Sequence, residues 1–529
     1  MDTKALRQKI LDLAIRGKLV PQDPNDEPAS VLLERIRAEK QQMVKDGKLK
    51  PKDIKNDTVI FKDDDNLHYE KFSDGIVKCI EDEIPFDVPN NWEWVRIKTA
   101  CVINPRNSID DNTEVSFVPM ANIKEGYANK FISDIRVWKK VKKGYTHFAN
   151  NDIGIAKITP CFENKKSVVF SSLINGYGAG TTELYILRTI SSLVIPEYLL
   201  NFVKRDDFIA GGVLTFSGDV GQQKVTKDYV ANYLFTLPPL NEQQRILNAV
   251  HTATSLIESI EKANDNLIRD IDKTKAKILD LAIRGKLVPQ DSNDEPASVL
   301  LERIRAEKEE LIKQGKIKRD KKESVIFKGD DNSYYEKIGN DITCIDDEIP
   351  FETPINWQWV RLGSTVGIER GGSPRPIKSY ITTDSNGINW IKIGDVDKDG
   401  KYITNTKEKI KPTGIKKSRE VYPGDFLLTN SMSFGRPYIS KIYGCVHDGW
   451  LVLRNPDVVF DINFLYYLLS SNYLYNQFVI KASGSTVDNL NIDKVSSALI
   501  CLPPLKEQTM IVHQIEKLMK LIQQFEELL

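Results

Sequence analysis

The sequence predicts an α+β protein with a pseudo-two-fold internal repeat, in which two globular domains are separated by a long antiparallel coiled coil. Three observations predict this fold. The chain has 529 residues, roughly three to four times the ~150 residues of a usual domain. Long segments of the sequence occur twice at nearly constant spacing. The repeated segments have helical periodicity, whereas the segments between them contain short strand-like runs.

The composition limits the class of protein. Lys+Arg and Asp+Glu both number 74, so an anionic partner would have to be held by locally placed basic side chains. No run approaches ~18 uncharged apolar residues, which predicts that the chain does not enter a membrane. The first residues mix both charge signs, unlike a secretory signal. Because the six cysteines are widely spaced, we expect free thiols and a cytoplasmic protein.

Three pairs of segments define two tandem copies of one unit. Their offsets are 268, 265 and 265, and they are Lys9–Lys40 with Lys277–Lys308 (identical at 31 of 32 positions), Ile84–Ile97 with Ile349–Leu362, and Leu237–Ile246 with Leu502–Ile511. The intervening stretches, about 98–236 and 363–501, diverge almost completely. The predicted divisions are a repeated helical region 1–83, a variable domain 84–236, a central coiled-coil and helical region 237–348, a second variable domain 349–501 and a C-terminal helix 502–529.

The repeated helical segments follow a heptad pattern, which is typical of a coiled coil. The pattern predicts a helix from about Glu242 to Arg284, roughly 60 Å long, with an antiparallel partner made by the two ends of the chain. The seam residues are Ile246, Val250, Ile257, Ile260, Leu267, Ile271 and Ile278 in the centre, Ile511, Ile515, Leu518, Ile522 and Phe525 near the C-terminus, and Leu6, Ile10 and Leu13 near the N-terminus. The alternative is that these helices pack on their own domains.

A second repeated helix begins at Pro28 and again at Pro296. One face carries the same apolar residues in both copies, Val31, Leu32 and Ile36, and Val299, Leu300 and Ile304. The near-identity of the copies suggests that each face docks the same kind of partner. A recent duplication that has not yet diverged is the alternative.

The variable domains are predicted to be α+β, each with short strands, a helical piece and a polar loop rich in Gly, Ser, Gln and Asn. Side chains such as Arg, Asn and Gln read base edges, and Lys, Ser and Thr hold phosphates. The candidate DNA-binding residues are Lys157, Thr159, Asn164, Lys165, Lys166, Gln222, Gln223 and Lys224 in the first domain, and Arg370, Ser373, Arg375, Lys378, Asn430, Ser431, Ser433, Arg436, Thr486 and Asn489 in the second.

No catalytic or metal site is predicted. Asp152, Glu163 and Lys165 imitate the acidic and lysine pattern of a metal-dependent nuclease. The second copy aligns Asp425 with Asp152 but has no Glu-x-Lys. The histidines have no metal-ligand spacing, and phosphate-binding glycine loops are missing from the sequence. We therefore expect that the chain itself performs no chemistry.

The sequence resembles the DNA-specificity subunit of type I restriction-modification systems. The motifs that carry the resemblance are TPCFENKK (Thr159–Lys166), GAGTTELYILR (Gly178–Arg188), NWIKIGDV (Asn389–Val396) and the twice-used LPPLxEQ before a heptad helix. The resemblance implies two target recognition domains, each reading one half of a split double-stranded DNA target. It also implies that the helices set the unread spacer and dock two modification subunits.

Further implications concern the partners and their cofactors. The modification subunits would carry S-adenosylmethionine, and restriction subunits would join to supply ATP-driven translocation and cleavage with Mg²⁺; this chain would bind none of these cofactors. Three alternatives remain open. The chain could serve a fused restriction–methylation enzyme of another type, act as an assembly scaffold that does not bind DNA, or be a nuclease at Glu163 and Lys165.

Overall fold

The computed structural model describes residues 2–190, 193–218, 222–315, 323–397, 400–430, 434–482 and 489–528. The chain divides into two compact units, an N-terminal unit of residues 1–263 and a C-terminal unit of residues 264–529. Each unit contains one copy of the repeat, as the sequence predicts. The long helix near the middle of the chain contributes residues to both units.

The N-terminal unit mixes short helices with short strands. Its helices are α1 (Thr3–Ile15), α2 (Ala29–Lys45), α3 (Pro51–Ile54), α4 (Ile97–Ala100), α5 (Trp138–Val141), α6 (Pro196–Val203), α7 (Asp206–Val213), α8 (Lys227–Asn232) and the shared α9 (Leu240–Ile283). Its strands are β1 (Val59–Lys62), β2 (His68–Lys71), β3 (Val77–Cys79), β4 (Glu93–Arg96), β5 (Cys101–Ile103), β6 (Glu114–Val118), β7 (Asp134–Val137), β8 (Thr146–Ala149), β9 (Ile153–Ala156), β10 (Ser167–Val169), β11 (Tyr177–Gly180), β12 (Leu184–Thr189) and β13 (Leu234–Leu237).

The C-terminal unit repeats this plan. Its further helices are α10 (Ala297–Lys313), α11 (Leu362–Thr365), α12 (Ile462–Leu469), α13 (Asn472–Ala482), α14 (Ile492–Ser496) and α15 (Leu505–Glu526). Its strands are β14 (Ser324–Lys328), β15 (Tyr334–Ile338), β16 (Asp341–Cys344), β17 (Gln358–Arg361), β18 (Gly367–Arg370), β19 (Ile381–Thr382), β20 (Ile388–Ile391), β21 (Tyr402–Ile403), β22 (Glu408–Ile410), β23 (Arg419–Val421), β24 (Phe426–Thr429), β25 (Pro437–Ser440), β26 (Gly444–Val446), β27 (Trp450–Arg454) and β28 (Leu499–Leu502).

The sheets of the two units correspond in position. In the N-terminal unit their strand orders are β1-β2-β3, β13-β4, β10-β9-β12-β5 and β7-β6-β11-β8. In the C-terminal unit they are β14-β15-β16, β17-β28, β18-β27-β24-β25-β21 and β19-β22-β20-β26-β23. The variable domains therefore differ in strand number and in sequence. The three-stranded hairpin sheet (β1-β2-β3 or β14-β15-β16) and the two-stranded sheet (β13-β4 or β17-β28) recur in the same form.

A buried hydrogen-bond network at the start of α9 explains the repeated LPPLxEQ motif. The indole N–H of Trp92 donates to Glu242 Oε2 at 2.9 Å, and Gln22 Nε2 donates to Glu242 Oε1 at 2.5 Å. Trp357 and Gln290 donate to Glu507 in the same way, at 2.9 and 2.5 Å. In each unit, the glutamate of the motif therefore joins three segments. They are the loop that contains Gln22 or Gln290, the tryptophan directly before strand β4 or β17, and the long helix that begins at the motif.

A second duplicated network joins the hairpin sheet to strand β4 in the N-terminal unit and to strand β17 in the C-terminal unit. Arg96 pairs with Glu70 and Glu83, each at 2.7 Å. The equivalent Arg361 pairs with two glutamates of the C-terminal unit, Glu336 and Glu348, at 2.7 and 2.8 Å. A buried arginine with two carboxylates keeps its charge compensated, so this network is part of the common frame of both units.

Helix pairing in each unit is antiparallel, as predicted. In the N-terminal unit, Arg7 near the start of α1 contacts Glu261 at 3.0 Å, whereas Gln22, beyond the end of α1, reaches Glu242 near the start of α9. In the C-terminal unit, Lys275 contacts Glu526 near the end of α15 at 2.7 Å, and Gln290 reaches Glu507 near its start. The predicted central helix extends over Leu240–Ile283.

The seam residues differ in burial. Those buried are Ile246, Val250, Ile257, Ile271, Ile278, Ile511 and Ile515, and those partly buried are Ile10, Leu13, Ile260, Leu267, Leu518 and Ile522. Leu6 and Phe525 are exposed. Ile246 and Val250 belong to the core of the N-terminal unit, and Ile278, Ile511 and Ile515 to the core of the C-terminal unit. The helices therefore also pack on the globular part of their own unit, which was the alternative interpretation.

The structure corrects the proposed docking face of α2. Leu32 and Ile36 are fully buried in the core of their own unit, together with Trp92. In α10, Leu300 is buried and Ile304 packs against the core. Only the valines of the predicted face remain exposed, Val31 at 37% and Val299 at 44%. The apolar periodicity of this helix reflects burial within the chain, because an amphipathic helix places its apolar face in the core.

Candidate DNA interface

In the N-terminal unit, the ends of two loops meet beside β9. The backbone of Ile158 pairs with that of Lys224. Thr159 N–H donates to the carbonyl of Gln223 at 3.0 Å, and Val225 N–H donates to the carbonyl of Lys157 at 2.9 Å. Candidates that lie about 65 residues apart in sequence are therefore neighbours. The structure thus brings Lys157, Thr159, Gln223 and Lys224 together.

The charges of this loop pair are partly compensated. Lys224 contacts Glu183 at 3.0 Å, and Lys157 lies over the ring of Tyr185, 5.3 Å from its centroid. Burial lowers the pKa of Lys157, while Glu183 raises it and Lys224 lowers it further. Both ammonium groups are positioned by their neighbours, and a carboxylate such as Glu183 can also accept a hydrogen bond from a cytosine amino group.

The remaining candidates of the first domain have different environments. Asn164 and Gln222 are exposed, and Lys166 is partly buried. Thr159 donates its hydroxyl to Glu163, and Asn164 Nδ2 donates to Glu125 at 3.3 Å. Amide groups at the surface can read base edges. Asn164 and Gln222 are therefore accessible in this domain.

Lys165 is placed differently from the prediction. It is only 8% exposed; its ammonium group pairs with Asp206 and donates to the hydroxyl of Tyr127 at 3.1 Å. Its backbone adopts a φ of 57°, in the left-handed region that turns the chain. This turn directs Lys165 into the domain, where it joins the loop to α7.

The three residues of the nuclease pattern do not share a site. Asp152 is buried and accepts hydrogen bonds from Arg188 at 2.8 and 2.7 Å. Glu163 is bound to Thr159 and Lys165 to Asp206. In the C-terminal unit, Asp425 pairs with Arg454 at 2.6 Å. Asp152 and Asp425 therefore occupy equivalent positions, each directly before a strand (β9 or β24) and each paired with an arginine of the neighbouring strand (β12 or β27). Over the described ranges no group of His, Cys, Asp and Glu side chains could hold a metal ion.

In the C-terminal unit, several candidates gather around Asp448. Ser373 donates to Asp448 Oδ1 at 2.7 Å, and Arg375 Nη2 donates to Oδ2 at 3.2 Å. The hydrogen bond from Ser373 is the main reason that the pKa of Asp448 lies below its usual value. Arg375 remains 81% exposed, so its other donors face solvent. The sequence did not single out Asp448, because an isolated acidic residue after a histidine has no recognisable spacing.

Asn430 supports this cluster from inside the domain. It is buried, and its Nδ2 donates to the backbone carbonyl of Asp448 at 2.8 Å. This hydrogen bond holds the loop that carries Asp448, and a contact between Asn430 and DNA stays a prediction. Arg370, Lys378 and Arg436 are exposed, and Asn489 is partly buried. The candidates Ser431, Ser433 and Thr486 lie outside the described residues.

Comparison with protein-family models identifies the relationship. The model for the type I restriction modification DNA specificity domain matches residues 89–269 and 354–528, which is more than half of the chain. The first match lies almost entirely in the N-terminal unit and the second lies in the C-terminal unit. The chain belongs to this specificity family. It is a specificity subunit of a type I restriction-modification system with two target recognition domains, one in each unit.

Curated relatives agree with the family assignment. The specificity subunit of the type I restriction enzyme EcoEI of Escherichia coli is 33% identical over 98% of this chain and 90% of its own length. The EcoAI specificity subunit of Escherichia coli is 39% identical over 70% of this chain and 63% of its own length.

Two solved structures match the two-repeat fold of this specificity subunit over most of the chain. A chain from a structure of a type I restriction-modification system matches with a TM-score of 0.54 and 19% identity, over 84% of this chain and 94% of its own. The HsdS subunit of Thermoanaerobacter tengcongensis matches with a TM-score of 0.51 and 19% identity, over 84% and 93%. Within the described residues, no helix is both long and apolar enough to cross a membrane.

Proposed function

We propose that this specificity subunit directs a type I restriction-modification complex to a bipartite DNA sequence, each target recognition domain reading one half. The observation that carries the proposal is the combination of one duplicated frame with two unlike reading domains. The buried Trp–Glu–Gln network is the same in both units. The larger sheets of the two variable domains differ, with four strands each in the first domain and five each in the second. Unlike domains on like frames produce an asymmetric target whose halves are a fixed distance apart.

The groups proposed to contact DNA are candidate residues of the two reading domains. In the first domain they are Lys157, Thr159, Asn164, Lys166, Gln222, Gln223 and Lys224. In the second they are Arg370, Ser373, Arg375, Lys378 and Arg436, with Ser431, Ser433, Thr486 and Asn489 as further candidates. The exposure of Arg375 and Gln222 supports this assignment, because such side chains carry the bidentate donors and acceptors that distinguish bases.

The partners would include two modification subunits, one on each copy of the repeated helical region, and restriction subunits that join them. The near-identity of α2 and α10 supports two equivalent docking sites. S-adenosylmethionine, ATP and Mg²⁺ would be bound by those partners in the cytoplasm, and the chain itself would be non-catalytic. The separate partners of Asp152, Glu163 and Lys165 support this part of the proposal.

Exchange of one reading domain tests the proposal. Residues 98–236 are replaced by the corresponding region of another specificity subunit, and methylated adenines are mapped in DNA modified by the reconstituted complex. We expect one half of the target to change, with the other half and the spacer unchanged. An unchanged target would instead favour an assembly scaffold, and a matched exchange of residues 363–501 should alter the opposite half.

A further inference from the structure

A three-residue turn joins the two larger sheets in each reading domain. Residues 181–183 connect β11 to β12 in the first domain, and residues 447–449 connect β26 to β27 in the second. The strand before the turn pairs in parallel with β6 or β20 and antiparallel with β8 or β23. The strand after it lies between two antiparallel neighbours, β5 and β9 or β18 and β24. The two turns therefore occupy the same place in domains of unlike sequence.

In the first domain, the turn ends with an acidic residue beside two candidate lysines. Lys157, the residue after β9, donates its backbone N–H to the carbonyl of Glu183 at 3.0 Å. The carbonyl of Lys157 accepts from the N–H of Val225 in the polar loop at 2.9 Å. The Glu183 side chain is 26% exposed, and its Oε2 lies 3.0 Å from Nζ of Lys224. The turn, the end of β9 and the polar loop thus meet at Glu183.

The second domain builds the same backbone arrangement from different side chains. Asn430, the residue after β24, donates its backbone N–H to the carbonyl of Gly449 at 3.0 Å, and its carbonyl accepts from the N–H of Leu490 at 2.9 Å. The middle residue of this turn is Asp448, whose side chain is 44% exposed and lies 3.2 Å from the guanidinium group of Arg375. Each turn therefore carries one carboxylate paired with a candidate cation.

A carboxylate at this place selects particular bases. An ionised carboxylate only accepts hydrogen bonds, and it has about four lone-pair sites, so one ion pair leaves it able to accept more. In the major groove, the donors are the amino groups of cytosine and adenine. Adenine places its N7 acceptor beside the amino group, whereas cytosine presents only the donor. Because two acceptors repel each other, a carboxylate favours cytosine.

We propose that Glu183 and Asp448 are base-reading acceptors, each receiving a hydrogen bond from the amino group of a cytosine in the half-site that its own domain reads. Lys224 and Arg375 hold these carboxylates and reduce their repulsion from the DNA phosphates. The inference rests on the proposed function, because it requires DNA at both turns. It adds two acidic residues to a set of candidates that the sequence limited to cationic, amide and hydroxyl side chains.

The test measures base preference at every position of the target. The full chain, in complex with its modification subunits, is bound to duplexes in which each base pair of the mapped half-sites is replaced in turn. The variants are Glu183→Gln and Asp448→Asn, which keep the size of the side chain and remove its charge. We expect each to lose about tenfold in preference for one cytosine, in the half read by its own domain. The preference should shift toward adenine, because an amide can pair with both N6 and N7 of adenine.

Matched controls are Glu114→Gln and Asp457→Asn. Glu114 begins β6, at the end of the β6-β11 pair that is remote from the turn, and Asp457 lies beyond the far end of β27. Both residues are exposed. Each control should give the wild-type preference at every position.

Three results would overturn the inference. The first is a wild-type preference at every position for Glu183→Gln and Asp448→Asn. The second is an equal change in affinity for all duplexes, since a carboxylate that only positions its cation would alter phosphate contacts without regard to sequence. The third is a changed preference at a base pair where the wild type does not select cytosine. Failure of the proposed function is distinguishable, because the wild-type complex would then show no preference for the mapped target.

Discussion

At the scale of single residues, the lysines of the first reading domain divide into surface and internal groups. Lys157 and Lys224 lie in the candidate DNA loops, beside Glu183. Lys165 and Lys204 are buried and hold the domain together. Sequence position alone does not separate the two groups, since Lys165 lies within the same motif as the accessible Asn164.

Lys165 is expected to contribute to stability and not to target choice. Lys165→Met removes the ion pair with Asp206 and the hydrogen bond to Tyr127. Because the Asp206 side chain is largely exposed, we expect the free energy of unfolding of the N-terminal unit to fall by only about 1 kcal/mol. Denaturant titration and mapping of methylated adenines check both parts, with Lys71→Met, at an exposed position outside the reading domain, as the control. A changed target sequence in Lys165→Met would contradict this assignment.

Lys204 should make stability depend on pH. Its Nζ donates to the carbonyls of Gly126, Ala128 and Lys165 at 2.7, 3.2 and 3.2 Å. Burial, with a smaller effect of Lys165, lowers its pKa from 10.5 to about 7. The unfolded chain therefore binds more protons between these values, and the free energy of unfolding contributed by Lys204 rises with pH across that window and is lost as pH falls through about 7.

The pH effect is measured as a difference between proteins. Denaturation of the wild type and of Lys204→Met at pH 7 and pH 9 cancels the other titrating groups. We expect the wild type to gain stability relative to the variant at the higher pH. Equal changes in both proteins would show that Lys204 does not titrate in this range.

At the scale of elements, the start of each long helix depends on a buried glutamate. Glu242 and Glu507 accept hydrogen bonds from Trp and Gln side chains contributed by other segments. Burial raises the pKa of both carboxyl groups, and the bonds from Trp92 and Trp357 partly offset this effect. The repeated LPPLxEQ motif thus connects the start of a long helix to the tryptophan beside strand β4 or β17.

Removing this glutamate should weaken one unit at a time. Glu242→Ala leaves the buried Trp92 indole without its acceptor and removes one of the two hydrogen bonds that Gln22 Nε2 donates, which we expect to cost the N-terminal unit about 2–4 kcal/mol of unfolding free energy. Glu507→Ala should have the equivalent effect on the C-terminal unit. Hydrogen exchange resolved by peptide locates each loss, and Glu258→Ala, at an exposed position on α9, is the control. A loss in the unit that does not contain the substitution would contradict this role.

At the scale of the whole molecule, the duplication of α2 as α10 predicts that the complex contains two modification subunits. The exposed valines of α2 and α10 occupy equivalent positions in nearly identical segments. We expect Val31→Asp or Val299→Asp to remove one modification subunit from the complex, and the double variant to remove both, because a carboxylate desolvated in an apolar contact is strongly unfavourable. Native mass spectrometry measures the composition, and Ile132→Asp, at an exposed apolar position in the first variable domain, is the control. Retention of both subunits by the double variant would place the docking surface elsewhere.

The sequence alone determined the duplication, the long helix, the α+β class and the family, because these depend on periodicity and on motifs that are read along the chain. The tertiary structure decided which side chains remain available. Leu32 and Ile36 have the pattern of a docking face but pack beside Trp92, and Asn430 and Lys165 have suitable chemistry for DNA but are buried. Periodicity reports that a face is apolar, whereas what covers that face depends on segments distant in sequence.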